Sequence, residues 1–377
     1  MNFELCLEKS IIVIAIPYII MKKTLLKIVT AFFGILIGSS LLFLNSCEKE
    51  KNTVPLNNSK LTQEAVIMEP APQNAPITQI LSVSNIRKFT DGTQRVSFNK
   101  NEEVFDVADA SILSELQNAY SENKKMKVTF DPWRAFITKV SVLSPAELQE
   151  NSVKKVQNIS GIVFNINKEI DKEKLDNSLK LGIINTSTPG LTNVVPDMAT
   201  AQLMFNYLTK QCCALSGPYG VDHCISYQYA EDGCYARAHK MCYVLNNKYH
   251  YATHKIFSFA NAGSDVLSVQ AQKWGGCCIN WWYHVAPLVN VNTPTGVKAF
   301  VFDPAMFDQP VLLSVWLHAQ ENPVCASWGT ANVSMINIQP TASYSPADGT
   351  GFVFDTDPLY SDTNSTLVAY SNLISCP

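Results

Sequence analysis

Between Cys47 and Cys212 the chain contains no cysteine. Disulfides therefore cannot hold the first half together, and any fold there must rest on apolar burial. The chain also lacks a strong charge of either sign. Its 29 basic and 32 acidic residues leave a formal net charge of -3, so nothing points to a nucleic-acid partner. No internal repeat of useful period appears, which argues against a solenoid or propeller. What remains is 377 residues, 47% of them hydrophobic. That is too long for one average domain and suits two folded units behind a leader.

The leader opens on an apolar stretch, residues 11–20, after which Met21-Lys22-Lys23 begins a second pattern. From Met21 the order is a basic segment, an apolar run from Leu25 to Leu44, and then Leu44-Asn45-Ser46-Cys47. That is the layout of a signal peptide. Small residues before a cysteine at the end of the apolar run resemble a bacterial lipobox. The expected start is Met21, with residues 1–20 an upstream extension and Cys47 the site of lipidation. The alternatives are a signal peptide without lipid or a membrane anchor. The expected location is the cell envelope, reached by export, with the membrane touched only through lipid.

Composition divides the rest. Residues 48–78 are polar and aperiodic and read as a linker. Residues 79–190 read as a small α+β domain. Asp91-Gly92 predicts a turn before the alternating Arg95-Val96-Ser97-Phe98. Ile112, Leu113, Leu116 and Tyr120 have helical spacing, and strands are predicted over Met126–Phe130, Phe136–Leu143 and Gly161–Ile170. No catalytic set is visible there. Near Asn185-Thr186-Ser187-Thr188-Pro189-Gly190 the composition changes, and 191–377 is expected to be a second α+β domain. Its first predicted helix is capped by Asp197 and carries Ala201, Met204, Phe205 and Leu208 on one face.

Nine cysteines lie beyond residue 200. In an exported chain this clustering predicts disulfides, and an odd count leaves one thiol free. Adjacent pairs such as Cys277-Cys278 should each bond elsewhere. In Glu231-Asp232-Gly233-Cys234-Tyr235-Ala236, Asp232 and Gly233 suit the entrance of a helix. Cys234 would then sit in its first turn, where unpaired N–H groups and the helix dipole favour a thiolate. On this segment alone it is equally a disulfide half.

Farther on, Asn280 to Val291 and Val297 to Asp303 read as two strands around the turn Asn292-Thr293-Pro294-Thr295-Gly296. A hairpin centred there brings His284 and Asp303 opposite each other, within about one residue of register. A carboxylate beside an imidazole fixes its tautomer and stabilises its cation. The structural alternative is a core histidine beneath Trp281 and Trp282 and a strand-end Asp303. Pro287 inside the first strand demands an edge or a bulge. His239, one helical turn after Cys234, is expected to be structural. Cys234, His239 and Cys242 match no zinc spacing; no metal or cofactor is expected.

A thiol on a helix start followed by His and Asp on neighbouring strands is the order of papain-like and transglutaminase-like enzymes. More specifically, Asp232-Gly233-Cys234-Tyr235-Ala236-Arg237-Ala238-His239-Lys240-Met241 resembles the nucleophile segment of bacterial protein-glutaminase. Cys277-Cys278-Ile279-Asn280-Trp281-Trp282-Tyr283-His284-Val285-Ala286 resembles its histidine segment. Phe302-Asp303-Pro304-Ala305-Met306-Phe307 resembles its aspartate segment, and Val195-Pro196-Asp197-Met198-Ala199-Thr200 the start of its mature enzyme.

The resemblance implies a Cys234–His284–Asp303 triad on a transglutaminase-like α+β core, with the nucleophile helix packed on an antiparallel sheet. It implies an inhibitory prodomain, an activating protease and protein or peptide glutamine substrates. It also implies a Cys213–Cys224 bridge; Cys325–Cys376 is expected as a second. Cys242 and Cys212 depart from the family pattern. Trp281, Trp282 and Tyr283 are expected either to wall the pocket or to pack in the core. The expected reaction is deamidation of glutamine side chains through a Cys thioester. The alternatives are a transglutaminase or peptidase with the same triad, or a disulfide-rich surface binding module without chemistry.

Overall fold

The computed structural model describes residues 76–377 apart from 89–92, 133, 152–160, 167–171, 173–174, 177–189, 211–224, 262–263 and 377. The leader, Cys47, most of the 48–78 linker, the Asp91-Gly92 turn, and Cys212, Cys213 and Cys224 lie outside the described residues.

Alternating burial builds the first sheet. Strand β1 (Ile77–Lys88) pairs antiparallel with β2 (Gln94–Phe98) and, on its other side, with β4 (Lys125–Asp131). β2 continues into β3 (Asn101–Val107) through the two-residue turn Asn99-Lys100, in which Lys100 has φ 65°. Helix α1 (Ala110–Ser121) follows, its free N–H groups at Ser111 and Ile112 capped by Asp109. β5 (Phe136–Val142) pairs with β4, and α2 (Pro145–Asn151) comes next. Val96, Phe98, Phe105, Leu116, Val128, Phe130 and Ile137 form a core of their own. The helix and the two strands at 125–142 stand where periodicity predicts them. β3 was not predicted, because Asn101-Glu102-Glu103 begins it with polar residues that are nevertheless buried.

The second sheet carries the expected hairpin. β6 (Ile162–Asn165), shorter than predicted, lies at one edge. Helices α3 (Met198–Thr209) and α4 (Cys234–Tyr249) precede β7 (His254–Phe259), β8 (Asp265–Gln270) and β9 (Cys278–Trp281). β10 (Tyr283–Thr293) and β11 (Gly296–Val301) form the hairpin, and β12 (Val311–Leu312) leads into α5 (Leu313–Ala319). After β13 (Thr330–Ala331) come β14 (Met335–Pro340), β15 (Ser343–Pro346), β16 (Phe354–Thr356) and α6 (Ser361–Ala369). The six-stranded antiparallel order is β12-β11-β10-β7-β14-β6. Helix α4 lays Cys234, Ala238, Met241 and Leu245 onto Phe257, Tyr283 and Val285 of this sheet, in one buried cluster. The result is a mixed α+β fold.

Pro287 departs from expectation. It sits in β10, a central strand, and not at an edge or a bulge. Its carbonyl accepts from Phe302 N at 3.0 Å, so its missing donor faces the β11 side. β11 ends at Val301, so the return bond that the proline cannot make falls just past the end of that ladder.

β8, β9 and β13 join the first sheet through one antiparallel contact, Glu103 with Trp281. Residues 68–377 thus form one compact unit.

The disulfides correct one pairing. Cys325 and Cys376 do not bond each other. Cys277 bonds Cys376 and Cys278 bonds Cys325, with Cα–Cα distances of 5.3 and 4.9 Å. Cys277 lies just before β9 and Cys278 is its first residue, and the two reach different partners, as expected. Cys242 is a second free thiol beside Cys234, buried in α4.

Candidate active site

Gly233 adopts φ 88° at the entrance of α4, a conformation open to glycine, and this turn sets Cys234 as the first helical residue. As the first helical residue, Cys234 has a backbone N–H with no partner inside the helix, which leaves it to bind an oxygen from outside. His284 projects from β10. Asp303 lies two residues beyond the end of β11. The hairpin register pairs Leu288 with Val301, so Asp303 does not oppose His284 directly. The chain's departure after Val301 carries it there, and Asp303 Oδ2 lies 2.9 Å from His284 Nε2. Trp316 Nε1 donates to the same oxygen at 2.9 Å.

Trp281 stacks on the imidazole, with centroids 4.3 Å apart and planes 8° from parallel. Its indole N–H donates to the carbonyls of Ala230 and Glu231, which ties the histidine's wall to the segment before Cys234. Trp282 and Tyr283 part ways. Trp282 faces the first sheet, whereas Tyr283 is buried against Phe257 and Phe259.

The residue missed by sequence reasoning is Glu102. It is wholly buried, and one ligand atom each from Glu102, Cys234 and His284 lie within 4.8 Å of one another. Glu102 Oε1 accepts the Cys234 N–H at 3.2 Å, and Oε2 lies 3.1 Å from His284 Nδ1. Arg237, one turn along α4, places Nη2 3.5 Å from Oε1. Its main chain is held as well: Glu102 N donates to Asp232 Oδ1 at 3.0 Å, and Glu102 O accepts from Trp282 N at 3.0 Å. The signal was faint: two adjacent glutamates just after a turn ordinarily read as solvated.

This neighbour changes the electrostatics. Burial, and then the Glu102 carboxylate, push the Cys234 thiol well above its ordinary pKa. The helix start alone was expected to lower it. With a carboxylate against the sulfur, the thiol is held protonated. Burial by itself would lower His284, but Asp303 and Glu102 outweigh it and raise the imidazole to about 9. Burial would raise Asp303, yet His284 and Trp316 hold it below the usual carboxylate range. Asp232 is raised to about 7 by burial and by Glu102.

Glu102, Cys234 and His284 are also donors a divalent ion could use. Here the carboxylate oxygens are already engaged by a backbone N–H, an imidazole and a guanidinium, so the group is organised around an anion. His239 stands apart. Its Nε2 faces Asp357 O at 3.1 Å and its Nδ1 faces Lys255 Nζ at 2.6 Å. Through these contacts it ties α4 to Asp357 and Lys255.

The glutaminase family model matches residues 201–320, a span holding Cys234, His284 and Asp303. Two solved structures follow the chain at length. One, a mutant form of pro-protein-glutaminase, is 26% identical, covering 79% of this chain and 94% of that one, with a TM-score of 0.56. Pro-protein-glutaminase itself is 25% identical over 81% and 95%, at 0.56. Protein-glutaminase from Chryseobacterium proteolyticum is 33% identical over 49% of this chain and 93% of that one, with a TM-score of 0.42. The chain belongs to the protein-glutaminase family. No curated protein matches it. At 79% and 81% of this chain, the likeness to the pro-forms reaches beyond the residues matched by the family model.

Proposed function

We propose that this chain is the proenzyme of a protein-glutamine deamidase, with Cys234 as nucleophile, His284 as acid and base, and Asp303 as the group that orients His284. One observation carries the reading. The side chain seated between the thiol and the imidazole is a glutamate, the product of glutamine deamidation, and its Oε1 is held by the Cys234 N–H.

With the segment around Glu102 gone, a substrate glutamine takes its place. The Cys234 thiolate attacks the γ-carboxamide carbon, and the oxygen gathers charge against the Cys234 N–H. Such a donor is worth about 10²–10³ in rate. Arg237 stands beside the same oxygen position. His284 passes its Nδ1 proton to the amide nitrogen, the C–N bond breaks and ammonia leaves. Water then attacks the thioester carbon and gives a proton to His284, releasing glutamate and restoring the thiolate. Asp303 and Trp316 hold the ring in place throughout.

Residues 79–190 act as the inhibitor in this reading, tethered until a protease cuts near Thr188–Asn193. A segment held on the same chain works at a local concentration of about a millimolar, so even a weak contact blocks substrate. Export on a signal peptide and lipidation at Cys47 complete the proposal: after the cut, the inhibitor stays on the membrane and the enzyme leaves.

The test is to purify the chain without its leader, measure ammonia release from a glutamine-rich protein, nick the linker with a mild protease, and measure again. Deamidation with a mass gain of about one dalton per site should appear on nicking. Equal activity before and after would leave the first half a spacer. No ammonia from the nicked protein would remove the deamidase reading.

A further inference from the structure

The segment that blocks the site carries more than Glu102, and it reads the cleft as a substrate would. Asn101 O accepts from Trp282 Nε1 at 2.7 Å, Glu102 O accepts from Trp282 N, and Glu102 N donates to Asp232. Glu103 pairs with Trp281. Trp282, expected to wall the pocket or to pack in the core, packs in the core beside Phe259 and Tyr283 and also clamps this backbone. All of these contacts touch main chain, so any extended segment can make them and they carry no selection by side chain.

Lys100 differs. It lies two residues before Glu102 and puts Nζ 3.1 Å from Asp355 Oδ2 and 3.3 Å from Asp362 Oδ2. Asp355 comes from β16 and Asp362 from the first turn of α6, so both belong to the part of the chain that also carries Cys234. The three side chains are only 12–22% exposed. Burial alone would lower the Lys100 ammonium, yet the two carboxylates hold it above its ordinary pKa. A half-sequestered cation shared by two carboxylates is a stronger arrangement than one surface pair. Once the prosegment leaves, the two carboxylates lose that counter-charge and face the cleft together. Asn99 and Lys100 form the tight turn that lets a chain reach both the acidic pair and the thiol.

We infer that the enzyme selects glutamines preceded two positions earlier by lysine or arginine, presented just after a tight turn, with Asp355 and Asp362 reading the cation. This rests on the deamidase reading above and names its substrate class. The charge pair acts on binding, and it does not touch the reacting amide.

The test uses the full chain activated by nicking, and three turn-forming peptides identical except at the position two before glutamine: lysine, alanine or glutamate. The lysine peptide should exceed the glutamate peptide in kcat/KM on the order of tenfold or more, with alanine between. Asp355→Asn with Asp362→Asn should collapse that ratio towards one, and Asp362→Lys should tilt it towards the glutamate peptide. The charge-swap arm does not depend on the double variant being well folded. Lysine and glutamate peptides deamidated within about twofold of each other would overturn this inference alone, as would a ratio that survives both variants. No ammonia from any of the three, alanine included, would overturn the deamidase reading together with it.

Discussion

Glu102 and His284 are 182 residues apart in sequence, yet Oε2 of one lies 3.1 Å from Nδ1 of the other. The imidazole therefore has a carboxylate on each side, Asp303 on Nε2 and Glu102 on Nδ1. Both favour its cation. One carboxylate follows the hairpin that carries the ring; the other sits on β3 of the first sheet, the segment that the proposed substrate would replace.

Replacing that glutamate with its amide turns the occupant into a substrate. In Glu102→Gln the introduced carboxamide should be attacked in place, and intact-mass analysis should show a gain of about one dalton at that position over time. The same variant with Cys234→Ala should stay unchanged. A glutamine that persists at position 102 with Cys234 present would count against the product-mimic reading.

Cys234→Ala in the nicked protein should lose deamidation by about 10⁴-fold or more, and His284→Ala comparably. Asp303→Asn should fall less, since Trp316 still donates to the same position. Circular dichroism should be unchanged in Cys234→Ala, because the side chain is small and makes no disulfide. Near-full activity in that variant would end the assignment of the nucleophile.

The precursor should be less stable at alkaline pH. Asp232 and Glu231 are each raised to about 7, first by burial. A raised carboxyl contributes stability that is full below its ordinary value near 4 and is lost as pH rises through about 7. His284, raised to about 9, contributes stability present below its ordinary 6.5 and lost as pH passes about 9. Asp303, His239 and Lys255 act with the opposite sign. Asp303, held low, does so only in acid. His239 is lowered to about 2 by burial and then by Lys255, and Lys255 is lowered to about 7 by burial. Each of these two gains stability as pH rises towards its ordinary value, but they are fewer than the groups that lose it over the same range. Thermal midpoints should therefore be higher near about pH 5 than near about pH 9, and Asp232→Asn should flatten the lower of the two steps. A midpoint that rises from about pH 5 to about pH 9 would contradict these environments.

Non-reducing peptide maps should yield Cys277–Cys376 and Cys278–Cys325. The second closes a loop of 47 residues, for which removal should cost about 2–4 kcal/mol. Cys278→Ser should lower the denaturant midpoint accordingly. A linked Cys325–Cys376 peptide would refute the pairing.

Cys47→Ser should release the precursor from the membrane fraction if Cys47 carries lipid, since firm anchoring requires more than one acyl chain. Unchanged membrane partitioning of the variant would remove the lipoprotein proposal.

Much of the site was legible because its chemistry is local. Gly233 before Cys234 announces a helix entrance, and a turn at Pro294 announces a hairpin; both follow from backbone preferences within a few residues. His284 and Asp303 are close in sequence, so a hairpin of nearly the right register was enough to bring them together. The alternating and helical periods of residues 95–142 likewise report burial on one face, which is a local property. The sequence could not reveal Glu102, Lys100 or the disulfide partners. Glu102 is buried only because the first sheet meets β9 at Glu103 and Trp281, and nothing in Asn101-Glu102-Glu103 encodes that meeting. Lys100 finds Asp355 and Asp362 across more than 250 residues. Cys277 and Cys278 could each have bonded any cysteine within reach, and reach is a property of packed sheets. Charge has no period, and a carboxylate reads as solvated until the fold places a thiol, an imidazole and a guanidinium around it.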